Sequence, residues 1–466
     1  MTDLIAQLRD IVGEAGVLTG ADVAAHSDTW PPRGDCQAHA LIRPASTAEV
    51  AEVMKCCHAA RQPVVTHGGL TGLVRGSVTR PGDIVLSLQR MRRIENIDRD
   101  NRTMTVQAGV ALQTVHEAAE EAELLFPLDL GARGSCTIGG NISTNAGGNS
   151  VIRYGMMREQ VLGLEVVLAD GTIVSSMNSV LKNNTGYDLK QWFIGAEGTL
   201  GIVTRAVLRL RPLPRSRNTA LVAATDFDRV AGLLRTMDTA LGGSLSAFEV
   251  LWNDFYRLII GDGENHGVPL ATDYPFYVLL EATGSHEDID RQRFERALEE
   301  AFEGELIADA IVAQSEQQRE DLWAIRDDID HLVERLAPTI TFDVSLDIPQ
   351  MDAYVHEVRD TLTARIPGSR CVFFGHIGDG NIHPVLTVGK KEGAAVSEAK
   401  GIVYDALRKR GGVVSAEHGI GLEKRPYLGH SRSAVEIELM KTLKRTLDPH
   451  NLLNPGKIFS LQEAEQ

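Results

Sequence analysis

Long apolar runs are missing from this 466-residue chain. No stretch of about 20 apolar residues occurs, so no transmembrane helix is expected. Cysteine is scarce: Cys36, Cys56, Cys57, Cys136 and Cys371 are the whole set. Their number is odd and no CxxC spacing exists, which argues against a disulfide framework and against a cysteine-bound iron–sulfur cluster. Buried free thiols are the default. Positive charge is also short. Against 63 Asp and Glu stand 47 Lys and Arg, a net charge of −16. That balance argues against nucleic acid or an anionic membrane as a main partner, but leaves room for a locally basic pocket that takes an anionic substrate. The opening residues, MTDLIAQLRDIVGEAG, form an acid-containing amphipathic helix without a signal peptide's apolar core, so a cytoplasmic protein is expected. What remains is the composition of an ordinary globular protein, and a length that implies two or more domains.

Glycine clusters punctuate the first half. After a lead-in at 1–40 that ends near Trp30-Pro31-Pro32, a short strand at 41–43 and a helix at 46–61 are expected, Ser46 and Glu49 forming a capping box. A strand at 63–66 then runs into HGGLTGLVRG at 67–76. Its four glycines let the backbone turn and offer bare N–H groups to an anion. The spacing is neither GxGxxG nor GxxxxGK[ST], so a standard Rossmann or P-loop site is not supported. A flexible surface loop is the alternative. SCTIGGNISTNAGG at 135–148 is a run of small side chains of the kind that lets backbone approach a flat, extended ligand. GAEGTLGIV at 195–203 is a third glycine-laced loop, entering a strand at 202–210. RPLPR at 211–215 reads as a domain boundary. Beyond it strands and helices alternate, with helices expected at 226–241, 316–335 and 351–365. They suggest an antiparallel sheet with helices on one face, an α+β layout.

Two histidines flank the glycine turn in RCVFFGHIGDGNIHPVLTV at 370–388. Gly375, Gly378 and Gly380 disfavour a helix, and the β-formers on either side predict a hairpin turning near Asp379-Gly380. Such a hairpin brings His376 and His383 close to opposite each other, so both imidazoles can reach one point. Glu417 and His418 follow in a second glycine-bounded loop. Two histidines and a glutamate suit a catalytic divalent metal with open positions, with His418 beside it as a base. The residues alone leave this reading level with histidines that merely bond a loop.

Six ordered stretches carry a resemblance: HGGLTGLVRGS (67–77), LGARGSCTIGGNISTNAGG (130–148), NNTGYDLKQWFIGAEGTLGIVT (183–204), GHIGDGNIHP (375–384), SAEHGIGLEKR (415–425) and DPHNLLNPGK (448–457). Together, and over nearly the whole chain, they resemble the FAD-dependent D-2-hydroxyacid dehydrogenases, the hydroxyglutarate, lactate and glycolate group of the vanillyl-alcohol-oxidase-like superfamily. The resemblance implies a PCMH-type FAD-binding domain of two α+β subdomains at 41–215. It also implies a substrate domain with an antiparallel sheet and metal hairpin at 216–414, and a C-terminal segment at 415–466 that returns to the flavin. It implies that Thr66, His67, Gly68, Gly69, Leu70, Thr71, Gly72 and Leu73 wrap the FAD pyrophosphate. Asp129, Ser135, Thr137, Gly139, Gly140, Asn145 and Gly148 would line the flavin and ribityl chain. Glu197, Gly201, Ile202 and Val203 would meet the adenine side, and Asn454 would approach from the tail. FAD would be held noncovalently, although His67 stands where some relatives attach it. His376, His383 and Glu417 would bind a divalent ion, zinc or manganese, with His418 as the base.

By the same resemblance Arg326 would clamp the substrate carboxylate. The residues alone allow instead a surface ion pair with Asp330 on the next helical turn. An electron-transfer flavoprotein, quinone or cytochrome would take the electrons, and a homodimer is compatible. Three positions depart from the hydroxyglutarate members: Asp330 replaces a threonine, Thr341 a lysine and Val385 an asparagine. These losses favour a smaller acid such as D-lactate, with D-2-hydroxyglutarate or D-malate as the alternative substrate and a noncatalytic flavin-binding subunit as the alternative role.

Overall fold

A computed structural model describes residues 2–29, 35–261 and 266–461. The Trp30-Pro31-Pro32 end of the lead-in lies outside the described residues. The chain divides into two compact units, one of residues 1–147, 155–213 and 417–466 and one of residues 148–154 and 214–416.

The first unit holds two larger sheets and a two-stranded pairing of Leu124–Leu125 with Arg211–Pro212. One has the strand order Val17–Thr19, Ala40–Ile42, Ile84–Ser87, Val64–His67. Ala40–Ile42 and Val64–His67 both run parallel to the strand between them. Ile84, Val85 and Leu86 have no exposed surface, as expected where apolar layers cover both faces of a parallel strand. The helix Thr47–Ala59 starts where Ser46 accepts a bond from Glu49 N. The Glu49 carboxylate reaches back one residue further than a capping box requires, to Ala45 N at 2.8 Å. Val50, Val53, Met54 and Cys57 are its buried stripe. The lead-in belongs to this same core, because Leu4, Ile5, Leu8 and Val12 are buried in it. The other sheet has five antiparallel strands in the order Ile94–Asp98, Thr103–Gln107, Ile202–Arg209, Val161–Val167, Ile173–Ser176.

The small-residue stretch contains a helix, Ile138–Thr144. Two glycines count against a helix on propensity alone. Packing decides otherwise: Gly139 N donates to Ala108 O at 2.7 Å, and a Cβ on Gly139 would press on Ala108.

The second unit is built on a sheet with the order Asp309–Val312, Ser216–Ala224, Phe276–Gly284, Leu245–Trp252, Arg370–His376, Asn381–Thr387, Ile340–Thr341, to which Val344–Ser345 adds a further pairing. Its neighbouring strands are antiparallel. Helices cover both faces rather than one. On one side Phe227, from the helix Phe227–Leu241, stacks on Trp252. On the other, Leu251 packs with Phe255, Leu322 and Ile325. Adjacent strand residues point to opposite faces, and all eight residues of Leu245–Trp252 are buried. The helix expected at 316–335 breaks in two, Glu316–Asp327 and Ile329–Arg335. Asp328 turns out of helical geometry at ψ 59. Its carboxylate accepts from His331 N at 3.2 Å and meets His266 Nε2 at 2.7 Å.

Candidate flavin cradle and catalytic sheet face

The glycine segments of the first unit converge. Gly69 lies so close to Ser135 and Cys136 that a Cβ would come within 2.8 Å of the Cys136 Cα, and Gly68 faces Thr137 in the same way. The third loop joins through Glu197 N, which donates to Ser143 O at 2.7 Å, and Gly195 N, which donates to Ile142 O at 3.0 Å. The tail closes the ring. Leu452 O accepts from Val64 N at 2.8 Å, Asn454 Oδ1 accepts from Thr66 N at 3.0 Å, and Asn454 Nδ2 donates to Glu197 O at 2.6 Å. Two hydroxyls in this ring, Thr66 Oγ1 and Thr137 Oγ1, are buried with no partner among the described residues. A buried polar atom of this kind normally has one. Open space lies beside Gly72, Gly131 and Gly134. Bare backbone and unspent hydroxyls suit the phosphates and ribityl hydroxyls of FAD.

Other expected cofactor residues sit differently. His67 is 2% exposed and its Nε2 meets Ser77 O at 2.9 Å. Burial pushes its pKa down to about 4 against the pull of that bond and of Asp28. The Glu197 carboxylate accepts from Ile420 N at 2.7 Å and Gly421 N at 2.8 Å, so it holds the C-terminal segment in place. Burial pushes its pKa up, against those two bonds. Ile202 and Val203 put their side chains into the core, which leaves their backbone as the part able to meet a ligand. A Cβ on Gly201 would press on Val166 and Phe193. Asp129 is paired with Arg133 at 3.1 Å. Asn145 ends the helix Ile138–Thr144 at φ 51 and accepts from Arg158 N. Gly148, at φ 110, is where the chain enters the second unit.

In the second unit the hairpin forms as its glycines predict, turning through Ile377–Asp379 to Gly380 at φ 89. Phe374 stands opposite His383, and His376 lies two residues further along. The two imidazoles are therefore diagonal neighbours on one face, rings perpendicular and 5.2 Å apart. Both residues are buried. The next strand places Glu249 opposite His376. Glu249 Oε1 meets His376 Nδ1 at 2.6 Å, and Arg326 Nε donates to Glu249 Oε2 at 2.8 Å. Burial works to raise the Glu249 carboxyl, but His376 and Arg326 outweigh it and hold it at about 2. A carboxylate on Nδ1 keeps the imidazole proton there and leaves Nε2 as the electron-pair donor, the usual preparation of a metal-binding histidine. Glu249 carries no motif, so sequence reasoning passed over it. Its one signal is a carboxylate in a largely apolar strand, a costly placement without a partner.

Arg326 does not pair with Asp330. The helix breaks between them, Asp330 is exposed, and Arg326 is 7% exposed beside Glu249. The departures Thr341 and Val385 are register partners, and Val385 is on the His383 face, two residues on. Glu417 and His418 open the C-terminal segment of the first unit, where Glu417 packs on Gly147. In the second unit Ser415 bonds Asp343 at 3.1 Å, and Asp343 accepts from Asn381 at 3.0 Å.

A glycine-lined cradle and an antiparallel α+β second unit define an FAD-linked oxidoreductase of PCMH-type fold. Residues 38–176 match the family described as "FAD binding domain", and residues 213–458 match "FAD linked oxidases, C-terminal domain". The chain is 40% identical over 449 residues to the D-2-hydroxyglutarate dehydrogenase of Xanthomonas citri pv. viticola, covering 95% of this chain and 94% of that protein. It is 37% identical over 473 residues to that of Stutzerimonas stutzeri, covering 99% and 100%. The solved structure of p-cresol methylhydroxylase with substrate bound shares the fold at 15% identity, with a TM-score of 0.80 over 99% of this chain and 97% of that one. The chain belongs to the FAD-dependent D-2-hydroxyacid dehydrogenase family. No helix among the described residues is long and apolar enough to cross a membrane.

Proposed function

We propose that this chain oxidises a D-2-hydroxyacid to the 2-oxoacid, with D-2-hydroxyglutarate as its first substrate. The relatives matched over nearly the full length carry that name, which replaces the D-lactate preference drawn from three substitutions. The replacement has a physical side as well. Asp330 is exposed, so it does not present the buried carboxylate that would repel a dicarboxylate.

The observation that carries the reading is the buried network of Arg326, Glu249 and His376 beside His383. His376 and His383 would hold a divalent metal such as zinc or manganese through ring nitrogen, with Glu417 as the oxygen ligand. When bound, FAD accepts the hydride and the metal polarises the hydroxyl. His418 takes the hydroxyl proton, a task suited to an imidazole near neutral pH. Glu249 fixes Arg326 Nε, Nη2 lies 3.3 Å from His376 Nε2 and Nη1 3.5 Å from Asp327, and the planar fork held there would turn to the substrate carboxylate. His67, tied to Ser77 O inside the fold, supports noncovalent FAD. The electrons would leave to an electron-transfer flavoprotein, a quinone or a cytochrome.

Anaerobic bleaching of the flavin tests the reading. D-2-hydroxyglutarate should bleach it faster than D-malate or D-lactate, and the L-enantiomers should not bleach it. Faster bleaching by D-lactate would reverse the substrate assignment. Silence with every D-acid would make the chain a noncatalytic flavin-binding subunit.

A further inference from the structure

At the Arg370 end of the strand Arg370–His376, the second unit has a cleft of about 420 Å³ lined by four arginines, Arg257, Arg335, Arg359 and Arg370. Each comes from a different element: Asn253–Ile260, Ile329–Arg335, Met351–Arg365 and Arg370–His376. Asp254 is the one carboxylate lining it, and it is already bound to Arg359 at 2.6 Å. Among the described residues, no carboxylate lies within ion-pair distance of Arg257, Arg335 or Arg370. The Arg370 guanidinium reaches only the Arg335 carbonyl, at 3.5 Å. Three guanidinium groups with no carboxylate partner among the described residues repel one another around one cleft. The chain as a whole has an excess of acids, with a net charge of −16, yet the lining of the cleft holds one carboxylate, and Arg359 takes it.

We propose that this cleft is a binding site for a small oxyanion of two or more negative charges, a phosphate ester or a di- or tricarboxylate. Guanidinium forks match both oxyanions in geometry, and Ser369 adds a hydroxyl to the lining. Cys371 also lines the cleft, but burial and Asp254 push its thiol up to about 11. The thiol therefore adds no competing negative charge. Arg370 and His376 are the two ends of one strand, about 20 Å apart at about 3.3 Å per residue. A ligand in the cleft therefore leaves the His376 end of the strand free.

Calorimetric titration of the flavin-loaded protein tests this at constant ionic strength, with pyrophosphate in one series and citrate in another. One saturable site per chain is expected, with affinity weakened about tenfold or more in the Arg335→Gln/Arg370→Gln double variant. Flavin spectrum and turnover should be unchanged in that variant. Arg257→Gln, on a separate helix, should weaken binding too and serves if the double variant does not fold. Binding of pyrophosphate alone assigns a phosphate ligand, of citrate alone a polycarboxylate, and of both a general oxyanion site. Absence of saturable binding to either probe, or affinity equal to the parent in the variants, overturns the proposal.

Discussion

With no exposed surface, the Glu249 carboxylate bonds His376 at 2.6 Å and Arg326 at 2.8 Å. It touches no proposed substrate atom and acts through those two side chains. Glu249→Gln should weaken metal binding by about 10- to 100-fold, lower kcat more than it raises KM, and leave the flavin bound. Metal titration alongside kinetics reads this, and unchanged metal affinity would separate Glu249 from the site. His418→Ala should keep a yellow protein and lower turnover by about 10²- to 10⁴-fold; undiminished turnover would remove His418 from proton transfer. His67 makes a pH prediction. Unfolded histidine takes a proton below about pH 6.5, whereas the folded residue takes it only below about 4. The stability carried by neutral His67 is thus complete above pH 6.5 and is lost as pH falls through that window, about 3 kcal/mol in all. His67→Gln should flatten the fall, as measured by denaturant melts across pH 4–7. A slope identical to the parent's would place the acid sensitivity elsewhere.

Among the elements, the hairpin was legible because glycines separated two runs of β-formers and local turn chemistry sufficed. Its diagonal register was not, since it depends on how Arg370–His376 and Asn381–Thr387 pair residue by residue. The helix at 316–335 was read as continuous because nothing local interrupts it. The break at Asp328 comes with a bond to His266, 62 residues away. The helix Ile138–Thr144 was missed for the same reason, being set by Ala108 against its glycine. Gly69 shows how close approach governs the cradle. Gly69→Val would drive a side chain into Ser135 and Cys136, and the purified protein should come off colourless and fail to take up added FAD. Full flavin occupancy would show that the two loops can part without loss of the cofactor.

For the molecule as a whole, the first unit is assembled from three segments of chain. Its tail supplies Leu453 to the core and Asn454 to the first glycine loop. A chain ending at Leu447 should therefore lose its flavin, and an absorbance spectrum decides it: a yellow truncated protein would make the tail dispensable. Chelation of a divalent metal should stop turnover while the flavin stays bound, with activity restored by zinc or manganese. Full activity in metal-stripped protein would remove the metal from the mechanism.

By itself the sequence determined the α+β class, the glycine loops, the two hairpin histidines and the family, because turn residues, strand periodicity and ordered motifs act over a few positions. Only the tertiary structure decided that Glu249 orients His376 and Arg326, that Arg326 ignores Asp330, and that four arginines from four elements share a cleft. Each depends on side chains brought together from distant positions, and pairings of that kind leave no local pattern in the chain.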